Sequence, residues 1–355
     1  MTLTRAPDRQ IGAIAMTKND KLERLCSGEP SPPPVLFQPI VMHFAARFNG
    51  RTYAEFASDY RVLVESNLRV LDYCDMDMVG LISDPYRETS AFGAKIEYVP
   101  EGVPRCLEPI IRTIDDVRAL RRPDVHACER TRDRILGAAL YQERLKGTVP
   151  VYGWIEGPLA EACDLAGISD MLASLMNDAD FSNSLMDKCT LTAKDFARAQ
   201  IESGCDIIGI GDAVCSQVSR RTYDSYVREK HREIIAFIHA LGARVKLHIC
   251  GDITHLLPSL RDLGIDILDL DWKVDLDAAH AAMGENVICS GNINPVDIQN
   301  TPEPGLRALA HDLLKREAGR RFILSGGCEI TVETPPANLR ALREASLETS
   351  GARDE

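Results

Sequence analysis

Eight short apolar runs recur along the chain, each separated from the next by a longer segment of helical period. They are VLFQPIV (35–41), MVGLIS (78–83), VPVYGWIEG (149–157), CDIIGIGD (205–212), ARVKLHICG (243–251), DILDLDW (266–272), NVICSGNI (286–293) and RFILSGGCEI (321–330). Most are rich in Val and Ile and show little polar alternation, which is the pattern of parallel strands buried on both faces. Between them lie helical patterns such as RRTYDSYVREKHREIIAFIHALG and PGLRALAHDLLKREAG. Several end in Gly, where a helix C-cap needs it. This alternation predicts an α/β fold, a (β/α)8 TIM barrel. A doubly wound open sheet is the alternative, and it more often has fewer strands.

The barrel is expected to occupy residues 34–350 as one unit. Residues 1–33 read as a mobile N-terminal arm carrying one short helix, KNDKLERLC, and closing in the proline-rich GEPSPPPV. A long insertion follows the second strand (84–148), in which GAKIEYVPEGVPRCLEPI is expected to form a small hairpin beside the active face.

Composition removes several function classes. A formal net charge of −12 argues against general affinity for nucleic acid or anionic membranes. No stretch approaches the ~20 apolar residues of a membrane span, and residues 1–20 lack a signal peptide's apolar core. A cytoplasmic location is therefore expected. The 11 cysteines include several in apolar surroundings, such as Cys74 and Cys163, expected to be reduced core residues.

In such barrels the chemistry lies at the C-terminal ends of the strands. Those ends carry Tyr152 and Glu156, Asp212, His248 and Cys250, Asp271, Asn292 and Cys328. Side chains two apart on a strand share a face, so His248 and Cys250 can point into one space. A lone His-x-Cys fits core packing as readily as metal binding. Cys328, after a Gly-Gly that permits close backbone approach, offers a third donor from the last strand. One imidazole and two thiolates form a zinc set with a coordination position left open, as in catalytic sites. Such an electron-rich centre activates water poorly but suits an incoming thiol, which points to alkyl transfer to sulfur.

The segments PIVMHFAARFNG, HICG, GNINP and SGGCEI resemble the uroporphyrinogen decarboxylase superfamily, in particular its zinc-dependent methyltransferase branch. The resemblance runs from about residue 34 to 346. It implies zinc on His248, Cys250 and Cys328, and methyl transfer between a methylated corrinoid and a thiol such as coenzyme M. The chain contains no Asp-x-His-x-x-Gly cobalamin motif, so cobalamin is expected free or on a separate corrinoid protein. A homodimer is left open. True decarboxylases of the superfamily use no metal and bind their tetrapyrrole through an arginine-rich N-terminal motif. Here that place holds HFAARFNG, with a single Arg47. Metal-free decarboxylation is the runner-up, and a non-catalytic barrel serving as a binding module is the third reading.

The remaining candidates carry paired readings. Glu156 is expected to be catalytic, as a temporary fourth ligand or a group that steers the thiol; a helix-capping carboxylate is the alternative. Asp212 is expected to orient His248 or bind substrate, or else to cap a helix. Asn292 and Tyr152 are candidate cofactor contacts, Asn292 otherwise holding loop geometry. His43, Arg47 and Asp271 are candidate substrate contacts, with a surface ion pair the simpler account of Arg47 and a helix cap the alternative for Asp271. Cys215 follows Asp212 closely without companion spacing, and His231, His239, His255 and His280 fall on helical patterns.

Overall fold

A computed structural model describes residues 16–29 and 34–348. All eight expected runs form parallel strands of one sheet. In chain order these are β1 (Leu36–Phe37), β2 (Val79–Gly80), β5 (Val151–Glu156), β6 (Ile207–Gly211), β7 (Arg244–His248), β8 (Ile267–Asp269), β9 (Ile288–Ile293) and β10 (Phe322–Gly326). Their order in the sheet is β1-β10-β9-β8-β7-β6-β5-β2, so the last strand pairs with the first. The seam between β1 and β2 is spanned at Asp77: its N–H donates to Phe37 O at 2.8 Å, and its carboxylate accepts from Phe37 N at 2.8 Å. Helices follow the strands, giving the (β/α)8 architecture.

The register carries the stagger a barrel requires. Opposed residues run Glu156, Gly211, His248, Asp269, Ser290, Ile323 and Leu36. That path leaves the last residue of β5 and arrives at the first of β1. Alternation then decides what faces inward. Leu36, Met78, Tyr152, Trp154, Ile207, Ile267, Ile288 and Ile323 pack together inside. On β7 the residues in step with them are Arg244, Lys246 and His248, all polar. Glycines make room for the large inward rings, because a Cβ at Gly80 would lie 2.0 Å from the Tyr152 ring and one at Gly209 would lie 2.3 Å from Trp154.

The insertion after β2 contains the expected hairpin, β3 (Ile96–Val99) paired antiparallel with β4 (Gly102–Cys106). Its turn residue Glu101 reaches His43 Nε2 at 3.4 Å, at the start of the helix His43–Phe48 that follows β1.

The arm expected to be mobile departs from that expectation over its described part. KNDKLERLC forms a helix, Lys18–Cys26, opened by a Thr17–Asp20 capping box. Leu22 and Leu25 are buried in the same cluster as the inward residues of the barrel. Arg321 donates to Leu25 O at 2.8 Å, and Arg244 pairs with Glu23 at 2.6 Å. The helix therefore closes the N-terminal mouth of the barrel; residues 1–15 and 30–33 lie outside the described residues. Among the described residues, no helix is long and apolar enough to cross a membrane.

Candidate metal centre

β7 ends at His248, and the alternation of the strand carries through to Cys250. Their Nε2 and Sγ atoms lie 3.0 Å apart. The loop after β10 brings Cys328 Sγ to 3.8 Å from Cys250 Sγ and 4.0 Å from His248 Nε2. A triangle with these edges has a point about 2.1 Å from all three atoms, against the ~2.0–2.3 Å of zinc–nitrogen and zinc–sulfur bonds. His248 is buried, whereas both cysteines are half-buried, so the set is not sealed by protein. The donor types, two soft sulfurs and an imidazole, also fit zinc.

Backbone geometry explains why these three meet. A Cβ at Gly327 would sit 2.3 Å from Trp272 N, so only glycine lets the β10 loop approach the β8 loop this closely. Gly251, at φ +91°, turns the chain straight after Cys250, and its N–H donates to Asp271 Oδ2 at 2.9 Å. Without metal, the hydrogen bond with Cys250, then those with His248, draw the Cys328 thiol down to about 4. The Cys250 thiol is raised in return, chiefly by the same bond.

The other candidates fall in different places. Glu156 ends β5 and is buried; its Oε1 pairs with Arg87 Nη2 at 3.0 Å and accepts from Trp154 Nε1 at 3.2 Å. It is close enough to raise Cys250, and it caps no helix. Asp212 does not orient His248. It accepts from Ala160 N at 2.8 Å and Leu159 N at 3.3 Å, capping the helix Pro158–Ala166, and bonds His231 Nε2 at 3.0 Å. Both oxygens of Asp271 are taken by backbone N–H groups, of Gly251 at 2.9 Å and Lys273 at 3.0 Å. Asn292 donates to Val274 O at 2.7 Å and so holds the loop after β8. Tyr152 is buried inside the barrel, with Gln38 on its hydroxyl. Arg47 is exposed and paired with Glu333, and His43 stacks on Tyr53 at 4.7 Å. For Asp212, Asn292 and Arg47, the contacts are those of the structural alternatives, whereas Asp271 holds two loop N–H groups instead of the helix cap expected as its alternative.

Asp212, Cys215 and His231 make a second cluster whose donor atoms lie within 4.8 Å of one another. His231 has no free nitrogen, because Nδ1 bonds the Tyr223 hydroxyl at 2.9 Å and Nε2 bonds Asp212. The cluster therefore reads as a buried network tying two helices together. His239, His255 and His280 each have a partner, in Asp266, Val218 O and Glu317. Cys74 and Cys163 are buried, and burial raises both thiols, Cys74 to about 12.

A profile described as Uroporphyrinogen decarboxylase (URO-D) matches residues 17–348. The chain belongs to the uroporphyrinogen decarboxylase family. A uroporphyrinogen decarboxylase of Geobacter sulfurreducens is 27% identical over 298 residues, covering 81% of this chain and 84% of that protein. Methylcobamide:CoM methyltransferase MtbA of Methanosarcina mazei is 29% identical over 211 residues, covering 58% and 60%. A solved methyltransferase from Methanosarcina mazei superposes with a TM-score of 0.86 at 21% identity, over 94% of this chain and 99% of that one. The family thus holds enzymes named for decarboxylation and for methyl transfer, on the barrel found here.

Beside the three donor atoms lies a buried charged cluster that the sequence patterns did not reveal. Asp84 accepts from Arg130 Nη2 at 2.7 Å, Arg87 pairs with Glu156, and Glu88 Oε1 accepts from Glu156 N at 2.9 Å. Burial pushes Glu88, Glu156, Glu161 and Asp164 above the usual carboxylate range. Asp84 sits below that range, because Arg130 and Arg87 more than offset its burial. The signal lay in SDPYRE, where charged residues directly follow a strand end.

Proposed function

We propose that this chain is a zinc-dependent methyltransferase that moves a methyl group between a methylated corrinoid and a thiol. The convergence of His248 Nε2, Cys250 Sγ and Cys328 Sγ within 4.0 Å carries the reading. These three residues would hold the metal, and a zinc ion bound there would lower the pKa of an incoming thiol, keeping it nucleophilic near neutral pH. A methylated corrinoid would supply the methyl group and keep the electron pair of its bond to that carbon, while the thiol would lose its proton to solvent and gain the carbon on sulfur. The chain's own groups supply position and exclude water. Glu156, clamped by Arg87 and Trp154 near Cys250, is assigned to steering the thiol rather than to ligation. The corrinoid would arrive free or on a separate protein.

The uroporphyrinogen decarboxylases among the relatives favour a second reading, metal-free decarboxylation of a tetrapyrrole. The two readings separate in one experiment on purified protein. Metal content, thiol methylation from methylcobalamin, and uroporphyrinogen turnover are measured for the wild type and Cys328→Ser. The methyltransferase reading expects about one zinc per chain and thiol methylation, both lost in the variant. Uroporphyrinogen turnover that survives in Cys328→Ser without metal would establish the decarboxylase instead.

A further inference from the structure

Beneath the three donor atoms, the barrel interior holds polar groups that the ligand set does not explain. Lys246 is 1% exposed, turned inward between Arg244 and His248. Its ammonium lies 3.0 Å from Asp269 Oδ2, donates to Gln38 Oε1 and sits 5.2 Å from the centre of the Tyr152 ring. Gln38 in turn donates to the Tyr152 hydroxyl at 3.2 Å. Residues on or next to four strands, β1, β5, β7 and β8, therefore contribute to one buried polar chain. A lone lysine or aspartate at this depth would be strongly destabilising; each makes the other tolerable.

The chain of contacts ends at the histidine. Asp269 stands opposite His248 in the β7–β8 register, and the Oδ2 that faces Lys246 lies 3.8 Å from His248 Nδ1. Nδ1 has no hydrogen-bond partner, and Oδ2 has none beyond its ion pair with Lys246. Buried polar atoms are rarely left so. A modest turn of the imidazole would close the gap. A histidine that ligates through Nε2 must carry its proton on Nδ1, and Asp269 is the carboxylate that faces that nitrogen.

We propose that Asp269, locked by Lys246, is the positioning residue for His248. It accepts the Nδ1 proton and so fixes the tautomer and ring angle that turn Nε2 toward Cys250 and Cys328. Gln38, beside β1 across the barrel, and Tyr152 on β5 hold the lysine in place. The inference rests on the metal reading of His248, Cys250 and Cys328, and concerns what orients that set.

The test measures zinc affinity by chelator competition and the visible absorption of cobalt-loaded protein, so it needs no methyl transfer. Asp269→Asn keeps the shape and removes the charged acceptor. Zinc affinity is expected to fall about 10–100-fold, with a changed cobalt band, in protein whose circular dichroism matches the wild type. Because Asp269→Asn leaves Lys246 unpaired, Lys246→Met/Asp269→Leu removes both charges and is expected to lose affinity to the same extent. Either folded variant binding zinc within twofold of the wild type, with an unchanged cobalt band, overturns the proposal. A wild-type protein that binds neither zinc nor cobalt overturns the metal reading and this inference together; intact wild-type binding with unaffected variants removes the role of Asp269 alone.

Discussion

At the scale of single residues, the site depends on positions where one atom decides the outcome. Gly327 is one, since an added Cβ would meet Trp272 N at 2.3 Å. Gly327→Ala is expected to push the Cys328 loop away from β8, costing about 1–3 kcal/mol of stability and weakening zinc binding. Denaturant midpoints and chelator competition measure the two effects, and an alanine variant with unchanged zinc affinity contradicts the close-approach account. Glu161 is another. Its carboxyl is pushed above the ordinary range by burial first and by Glu88 next, and it accepts from the Thr89 hydroxyl at 3.1 Å. A carboxyl with a raised folded pKa binds its proton more tightly in the folded chain than in the unfolded one. Its contribution to stability is present below the unfolded value, about 4.3, and is lost as pH rises toward the folded value. Glu161→Gln imitates the protonated form and keeps an acceptor for Thr89. It should flatten the fall in Tm expected from this group as pH rises above about 4.3; a slope identical to the wild type's would show that Glu161 contributes nothing to it.

At the scale of elements, the helix Lys18–Cys26 behaves as part of the barrel. Leu25 has no exposed surface and packs with inward residues of the strands. Leu25→Ala is expected to destabilise the fold by about 2–5 kcal/mol, read from urea unfolding. A loss under ~0.5 kcal/mol, the ordinary range for surface changes, would mean the helix is only resting on the barrel. The seam between β1 and β2 is held at Asp77. That carboxylate accepts from Phe37 N and pairs with Arg343 at 3.0 Å. Asp77→Ala leaves the buried Phe37 N–H without its acceptor and Arg343 with Asp75 alone, so a loss of about 1–3 kcal/mol in urea unfolding is expected.

At the scale of the whole molecule, zinc should act on stability as well as activity. A ligand that binds only the folded state stabilises it by mass action, by about 2.7 kcal/mol at a hundred times its Kd. Stripped protein titrated with zinc should therefore show a Tm that rises by several degrees and then climbs only with the logarithm of concentration. The Cys328→Ser protein should show no such rise. An equal rise in both would place the metal elsewhere in the molecule. The net charge of −12 gives this behaviour a second consequence: a separate corrinoid carrier that meets the chain by electrostatic steering should do so more slowly as salt increases only if its docking face is basic.

Local pattern was enough for the architecture, because the eight runs and the helical periods between them are short-range properties of the chain. It was also enough for His248 and Cys250, since strand alternation fixes two residues two apart on one face. Cys328 needed the closed order of strands, which brings a residue 78 positions away to within 3.8 Å of Cys250. The carboxylates were the hardest to read. Asp212, Glu156, Asp269 and Asp271 all stand at or near strand ends, yet one caps a helix, one pairs with a buried arginine, one faces a histidine and one holds a loop. Their neighbours come from other strands and helices, and the stagger of the barrel sets which ones they meet. The burial of Lys18–Cys26 was hidden for the same reason. Sequence by itself determined which residues share a strand face, because alternation along a strand is local; only the tertiary structure decided which face turns inward and what each inward group touches, because both follow from closure of the sheet.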